Sequence, residues 1–157
     1  MKPFKTIILC CLPFLFLAQQ KETDSLLKLI SSKHDTEKVI LLSSVANNYQ
    51  FYSIEKALLY ADSAHKLALK INYKKGVAFC LQNYATIYTT SGKYDLAIKY
   101  ILRAIPLNKE LKRTRTLANC YNTLGNIYLG TNDTNRAYQN YLESYIISGA
   151  HNFQDMK

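Results

Sequence analysis

No stretch of this sequence alternates apolar and polar residues over a long run, so half-buried strands have no support and the chain reads as helical. It has no apolar run long enough to span a bilayer. The main one, Thr6 to Ala18, contains Pro13 and falls well below the roughly 20 residues a crossing helix needs. There is no low-complexity segment and no linker-like stretch. The 157 residues suit one domain.

Groups that carry chemistry are sparse. His34, His65 and His151 stand on separate elements, and no His-x-x-x-His or Cys-x-x-Cys pair occurs, so no metal site is expected. No Gly-rich phosphate loop and no Gly-x-Ser-x-Gly turn is present. The carboxylates are scattered. These absences point away from an enzyme: no catalytic residue and no cofactor is expected.

What is present begins with a short basic start, Lys2 and Lys5, followed by the apolar run. That order reads as a secretory signal over residues 1–18, cut before Gln19. Ile8 and Leu9 stand where a lipidation site at Cys10 or Cys11 wants small residues. The expected location is exported, periplasmic or envelope-associated in a bacterium. Membrane attachment is expected only if the leader stays uncleaved or the full-length protein continues.

The formal net charge is +9. Loss of the leader removes two lysines and no acid, leaving 18 basic against 11 acidic residues. The excess is local: Lys99, Arg103, Lys109, Lys112, Arg113 and Arg115 share their segment with one acid, Glu110. A solvated helix face explains it better than nucleic acid, which export also disfavours as a partner. Cys80 and Cys120 remain, forty residues apart. Equivalent helices in stacked repeats lie about 10 Å apart, whereas a disulfide needs Cα atoms within about 7 Å. Two unpaired, buried thiols are expected.

That spacing is general. Leu81, Tyr84, Ala85, Tyr88, Ala97, Ile101 and Ala104 are matched forty residues on by Tyr121, Leu124, Gly125, Tyr128, Ala137, Tyr141 and Ser144. A weaker copy runs through Leu42, Val45, Ala46, Tyr49, Ala57, Ala61 and Ala64, with one residue fewer between its halves. Fixed-period self-similarity marks a solenoid, which offers a binding surface rather than a reaction chamber.

The expected elements are a short helix over 24–32, then helices from Asp35, from Ile54 behind a Ser53 cap, from Lys74 to a stop at Gly92, from Tyr94, from Thr114 to just before Gly130, and from Thr134 to about Ser148. Asp35 and Asp133 are candidate caps. Asn132-Asp133-Thr134 fits a glycosylation sequon but reads better as a turn and cap. Pro106 predicts a kink or early end. Most of the tyrosines, among them Tyr49, Tyr84, Tyr88, Tyr121 and Tyr128, are expected to fill core.

Leu124-Gly125-x-x-Tyr128 with Ala137, Tyr141 and Ser144 resembles the tetratricopeptide repeat, in a longer variant of about forty residues. Gly92-x-Tyr94-x-x-Ala97 is similar to that family's turn and second-helix start. The resemblance covers residues 36–149 and implies an all-α, right-handed superhelical solenoid of three antiparallel helix hairpins, with repeats at about 36–72, 73–112 and 113–149. Residues 19–35 would form a linker and capping helix, and 150–157 the start of a truncated further repeat. Ala57-Leu58-Leu59-Tyr60-Ala61 and Asn72-Tyr73-Lys74-Lys75-Gly76 are also similar to the exported repeat region of bacterial sensor histidine kinases and regulators. No effector part is present.

In this family the first helix of each hairpin lines a concave groove. The groove positions fall here on Ser43, Asn47 and Gln50, on Gln82, Thr86 and Thr89, and on Asn122 and Asn126. All are uncharged amides or hydroxyls, suited to pairing with the backbone of an extended peptide. The expected partner is a protein or peptide segment bound without catalysis. The alternative is a recognition module of a signalling protein. Tyr138, Tyr141, Tyr145 and Ile146 on the last helix are expected to be exposed and offer a route to self-association.

Overall fold

The computed structural model describes residues 23–30 and 32–154; the expected leader and its cut lie outside them. Among the described residues there are helices and no strand. Residues 23–30 form α1. The others are α2 (Asp35–Tyr49), α3 (Ile54–Lys70), α4 (Lys74–Thr90), α5 (Tyr94–Glu110), α6 (Thr114–Gly130) and α7 (Thr134–Gln154). The protein is an all-α solenoid of helix hairpins.

From α3 onward a helix begins every twenty residues, so the forty-residue period is two equal half-periods. Each of α3 to α6 has 17 residues and ends in the same turn. Asn72, Gly92, Lys112 and Asn132 take left-handed φ of 52°, 72°, 52° and 60°. The next amide then donates to the carbonyl five residues back. Tyr73 N–H reaches Ala68 O at 2.8 Å, Lys93 reaches Tyr88 at 2.8 Å, Arg113 reaches Asn108 at 3.0 Å and Asp133 reaches Tyr128 at 2.9 Å. This is the Schellman closure, which satisfies carbonyls that a helix end leaves open. The α2–α3 joint lacks the left-handed residue. There the Ser53 amide returns to Tyr49 O at 2.8 Å, and Ser53 Oγ caps α3 by accepting from Lys56 N–H at 3.3 Å.

Four expectations need correction. His34, not Asp35, sits at the α2 N-cap and makes no side-chain cap bond; Asp35 is the first helical residue, with φ 52°. Gly130 is the last residue of α6, and Asn132 supplies the left-handed turn. Gly130 is needed for another reason: a Cβ there would lie 2.6 Å from the Tyr94 ring. Helix α5 runs through Pro106 to Glu110 rather than ending early. Pro106 and Leu102 are both exposed, so the Leu102 carbonyl that loses its donor faces water. Finally, α7 continues past Ser148 to Gln154, with no described helix beyond it to hold a turn.

The helices form two layers. α2, α4 and α6 touch one another in sequence and make the inner layer. α3, α5 and α7 pack on that layer, and their backbones do not approach one another. Small residues set the spacing. Ala57, Ala61, Ala64 and Ala68 are fully buried, letting α3 lie close on its neighbours. Helix α5 then contributes Ala97, Ile101 and Ala104 to a core with Leu81, Leu124 and Ile127. Cys80 and Cys120 are buried and free, and burial pushes both thiols up to about 11.

Candidate functional site

The inner layer brings like positions of α2, α4 and α6 onto one surface. Asn47, Thr86 and Asn126 share one repeat position; Ser43, Gln82 and Asn122 share another. Neighbouring helices pack about 8–10 Å apart and an extended chain rises about 3.3 Å per residue. Successive members of one row are therefore spaced like every third residue of an extended chain.

Exposure divides the rungs. Ser43 is fully buried, its hydroxyl 3.6 Å from Cys80 Sγ and its carbonyl accepting from Asn83 Nδ2 at 3.1 Å. Gln50 is buried too, and its Oε1 accepts from Thr90 Oγ1 at 3.3 Å. These two hold α2 to α4 and do not reach the groove surface. Asn47, Gln82, Thr86 and Thr89 are half-buried, and Asn122 and Asn126 are exposed. The trend has a simple cause. The flank of α2 that carries Ser43 is covered by α4, whereas no inner helix covers the same flank of α6 among the described residues.

The available chemistry differs by residue. Asn47, Gln82 and Asn122 make no side-chain hydrogen bond within the described residues, so each amide can donate and accept. Thr86 and Thr89 donate to the carbonyls one turn back, Gln82 O at 3.1 Å and Ala85 O at 2.7 Å, and keep acceptor capacity. Asn126 Oδ1 accepts from the Tyr141 hydroxyl at 2.7 Å, which leaves its amide hydrogens free.

One turn toward the N-termini of the same helices lies a feature the sequence reading passed over. Ile40 and Phe79 occupy one repeat position, and Lys75 stands a turn earlier on α4. With Tyr73, Gly76 and Arg113 they line a cavity of about 210 Å³. Gly76 permits it: a Cβ there would fall 2.3 Å from the Tyr73 ring and 3.1 Å from Val39. Arg113 Nη1 donates to the Lys75 carbonyl at 3.4 Å, tying the turn before α6 to the start of α4. Lys74 next door is paired with Glu110 at 2.9 Å. No carboxylate among the described residues pairs with Lys75 or Arg113. The signal was present in the shared phase of Asn72–Gly76 and Leu111–Arg115.

The tyrosines sit mainly between layers. Tyr84 is buried, donates to the Asp62 carboxylate and stacks on Tyr100 at 4.7 Å. Burial, then the Asp62 bond, raises its pKa. Tyr88 also stacks on Tyr100, at 5.5 Å, and Arg103 lies 5.9 Å from the same ring. Tyr49 is buried and stacks on Tyr60. Tyr138 and Tyr145 are exposed, but Tyr141 is half-buried over Gly125. At the α7 start, the Arg136 amide and guanidinium hold the Asp133 carboxyl below its usual value. No cluster of three metal-ligating side chains occurs among the described residues, and none of their helices is long and apolar enough to cross a membrane.

The tetratricopeptide repeat family model matches residues 77–147, from the first turns of α4 into α7. Repeats of this family generally mediate protein–protein contact, which agrees with the open amide surface. No curated protein matches the chain.

Proposed function

We propose that this chain is a noncatalytic scaffold that binds an extended segment of another protein along its inner layer. The carrying observation is that Asn47, Gln82 and Asn122 stand on three successive inner helices, at least partly exposed and without a side-chain hydrogen bond among the described residues. Each pairing with a peptide backbone contributes about 0.5–1.5 kcal/mol. Recognition thus comes from several weak contacts along a length, the mode expected of a repeat surface. The basic and apolar start of the sequence supports export, and the proposal extends to a partner in the cell envelope.

The test uses Gln82→Ala with Asn122→Ala, which leaves the Asn126–Tyr141 bond intact. In a pull-down from an envelope fraction, the partner held by the unaltered chain is lost by the double variant, while circular dichroism and melting stay the same. Equal retention by both proteins rejects the groove.

A second reading is favoured by α7. Tyr138, Leu142, Tyr145 and Ile146 follow helical spacing on one face and are 68%, 43%, 76% and 52% exposed. We read this stripe as a surface for self-association.

A further inference from the structure

We propose that the cavity at Ile40 and Phe79 is a specificity pocket that takes one large apolar side chain of the bound segment, flanked by an aspartate or glutamate. This rests on the groove reading and adds the character of the segment. At about 210 Å³ the cavity is smaller than the roughly 300–1,000 Å³ of small-molecule sites, and it suits a single side chain. Ile40, Phe79 and Tyr73 supply apolar walls, and Gly76 lets the Tyr73 ring close one side.

The rim selects charge. Lys75 and Arg113 both line the cavity, and neither has a carboxylate partner among the described residues; Glu110 is paired with Lys74. Arg113 spends one donor on the Lys75 carbonyl and keeps the rest of its fork, a geometry that matches a carboxylate. Arg115 occupies the repeat position of Lys75 on α6 and extends the positive edge. The amide rungs read only backbone, so they fix no sequence; this corner gives the surface a place where the register of a bound segment is set.

The experiment uses the full chain and three fluorescein-labelled, end-capped dodecapeptides on a serine–alanine background. The first carries one Phe between two Asp, the second replaces that Phe by Ala, and the third replaces both Asp by Asn. Fluorescence anisotropy should show the first binding at least ten-fold more tightly than either control. Lys75→Glu, at an exposed position, should abolish the advantage of Asp over Asn, and Phe79→Ala the advantage of Phe over Ala. Equal binding of the three peptides overturns the proposal, as does a preference that Lys75→Glu leaves unmoved. Binding of phosphatidylglycerol vesicles or a single-stranded oligonucleotide, without the peptide preference, also overturns it. The amide rungs are read separately: under the groove reading, Gln82→Ala with Asn122→Ala weakens all three peptides alike. If that variant changes nothing while the preference persists, the groove fails and the pocket stands.

Discussion

Gly125 and Tyr141 show how single residues tune a shared plan. A Cβ on Gly125 would lie 2.6 Å from the Tyr141 ring. In the preceding hairpin the same two positions hold Ala85 and Ile101, so a larger partner goes with a smaller seat. Gly125→Ala gains up to about 1 kcal/mol of helix propensity but forces an overpacked contact costing about 1–3 kcal/mol. Thermal unfolding of Gly125→Ala should show a net loss of about 1 kcal/mol, or about 2–4 °C in a chain of this size. Adding Tyr141→Ile recreates the preceding pair. A double-mutant cycle should give a coupling of at least about 0.5 kcal/mol; additive effects reject the account. The size pattern was legible in the sequence as large and small positions. The loss of Ser43 and Gln50 from the groove was not, because a polar residue on an inner helix can face either the ligand side or the next helix. Spacing alone does not tell which side is covered.

At the scale of the element, the turns govern the fold. Of the four left-handed residues in the turns between α3 and α7, three are Asn or Gly, the residues that best tolerate that conformation, but the fourth is Lys112. A residue with a Cβ there costs about 1–2 kcal/mol, against about 0.5–1 kcal/mol for ordering a glycine. Lys112→Gly should therefore raise stability by up to about 1 kcal/mol, read as a higher Tm with unchanged helicity. A lower Tm would show that the lysine side chain holds the turn. Lys112 also explains why the twenty-residue half-period was hard to read: it interrupts the series Asn72, Gly92, Asn132. Helix boundaries were otherwise visible within a residue or two from Ser53, Gly92 and Asp133. Pro106 does not end α5, and Leu102, whose carbonyl loses its donor there, is an exposed residue.

For the whole molecule, layers follow from the repeat. Forty-residue similarity with alternating small and large positions is enough to foresee hairpins that stack, and hence an inner surface. It does not foresee the Ile40–Phe79 cavity, which needs residues from α2, α4 and the turn before α6 brought together. The α7 stripe makes a prediction at this scale. Sedimentation should show a species that dissociates on dilution, and Tyr145→Ser with Ile146→Ser should leave monomer only. Both side chains are more than half exposed, so folding stability should shift by no more than about 0.5 kcal/mol each. A monomer at every concentration before mutation rejects the stripe as an interface.

The separation of α3, α5 and α7 has a mechanical meaning. Along the back of the stack no two helix backbones approach one another, so curvature can change by small rotations shared among the inner contacts. Such a strip can tighten or splay to match the bulk of what lies in it, much as a flexible spine closes around a load.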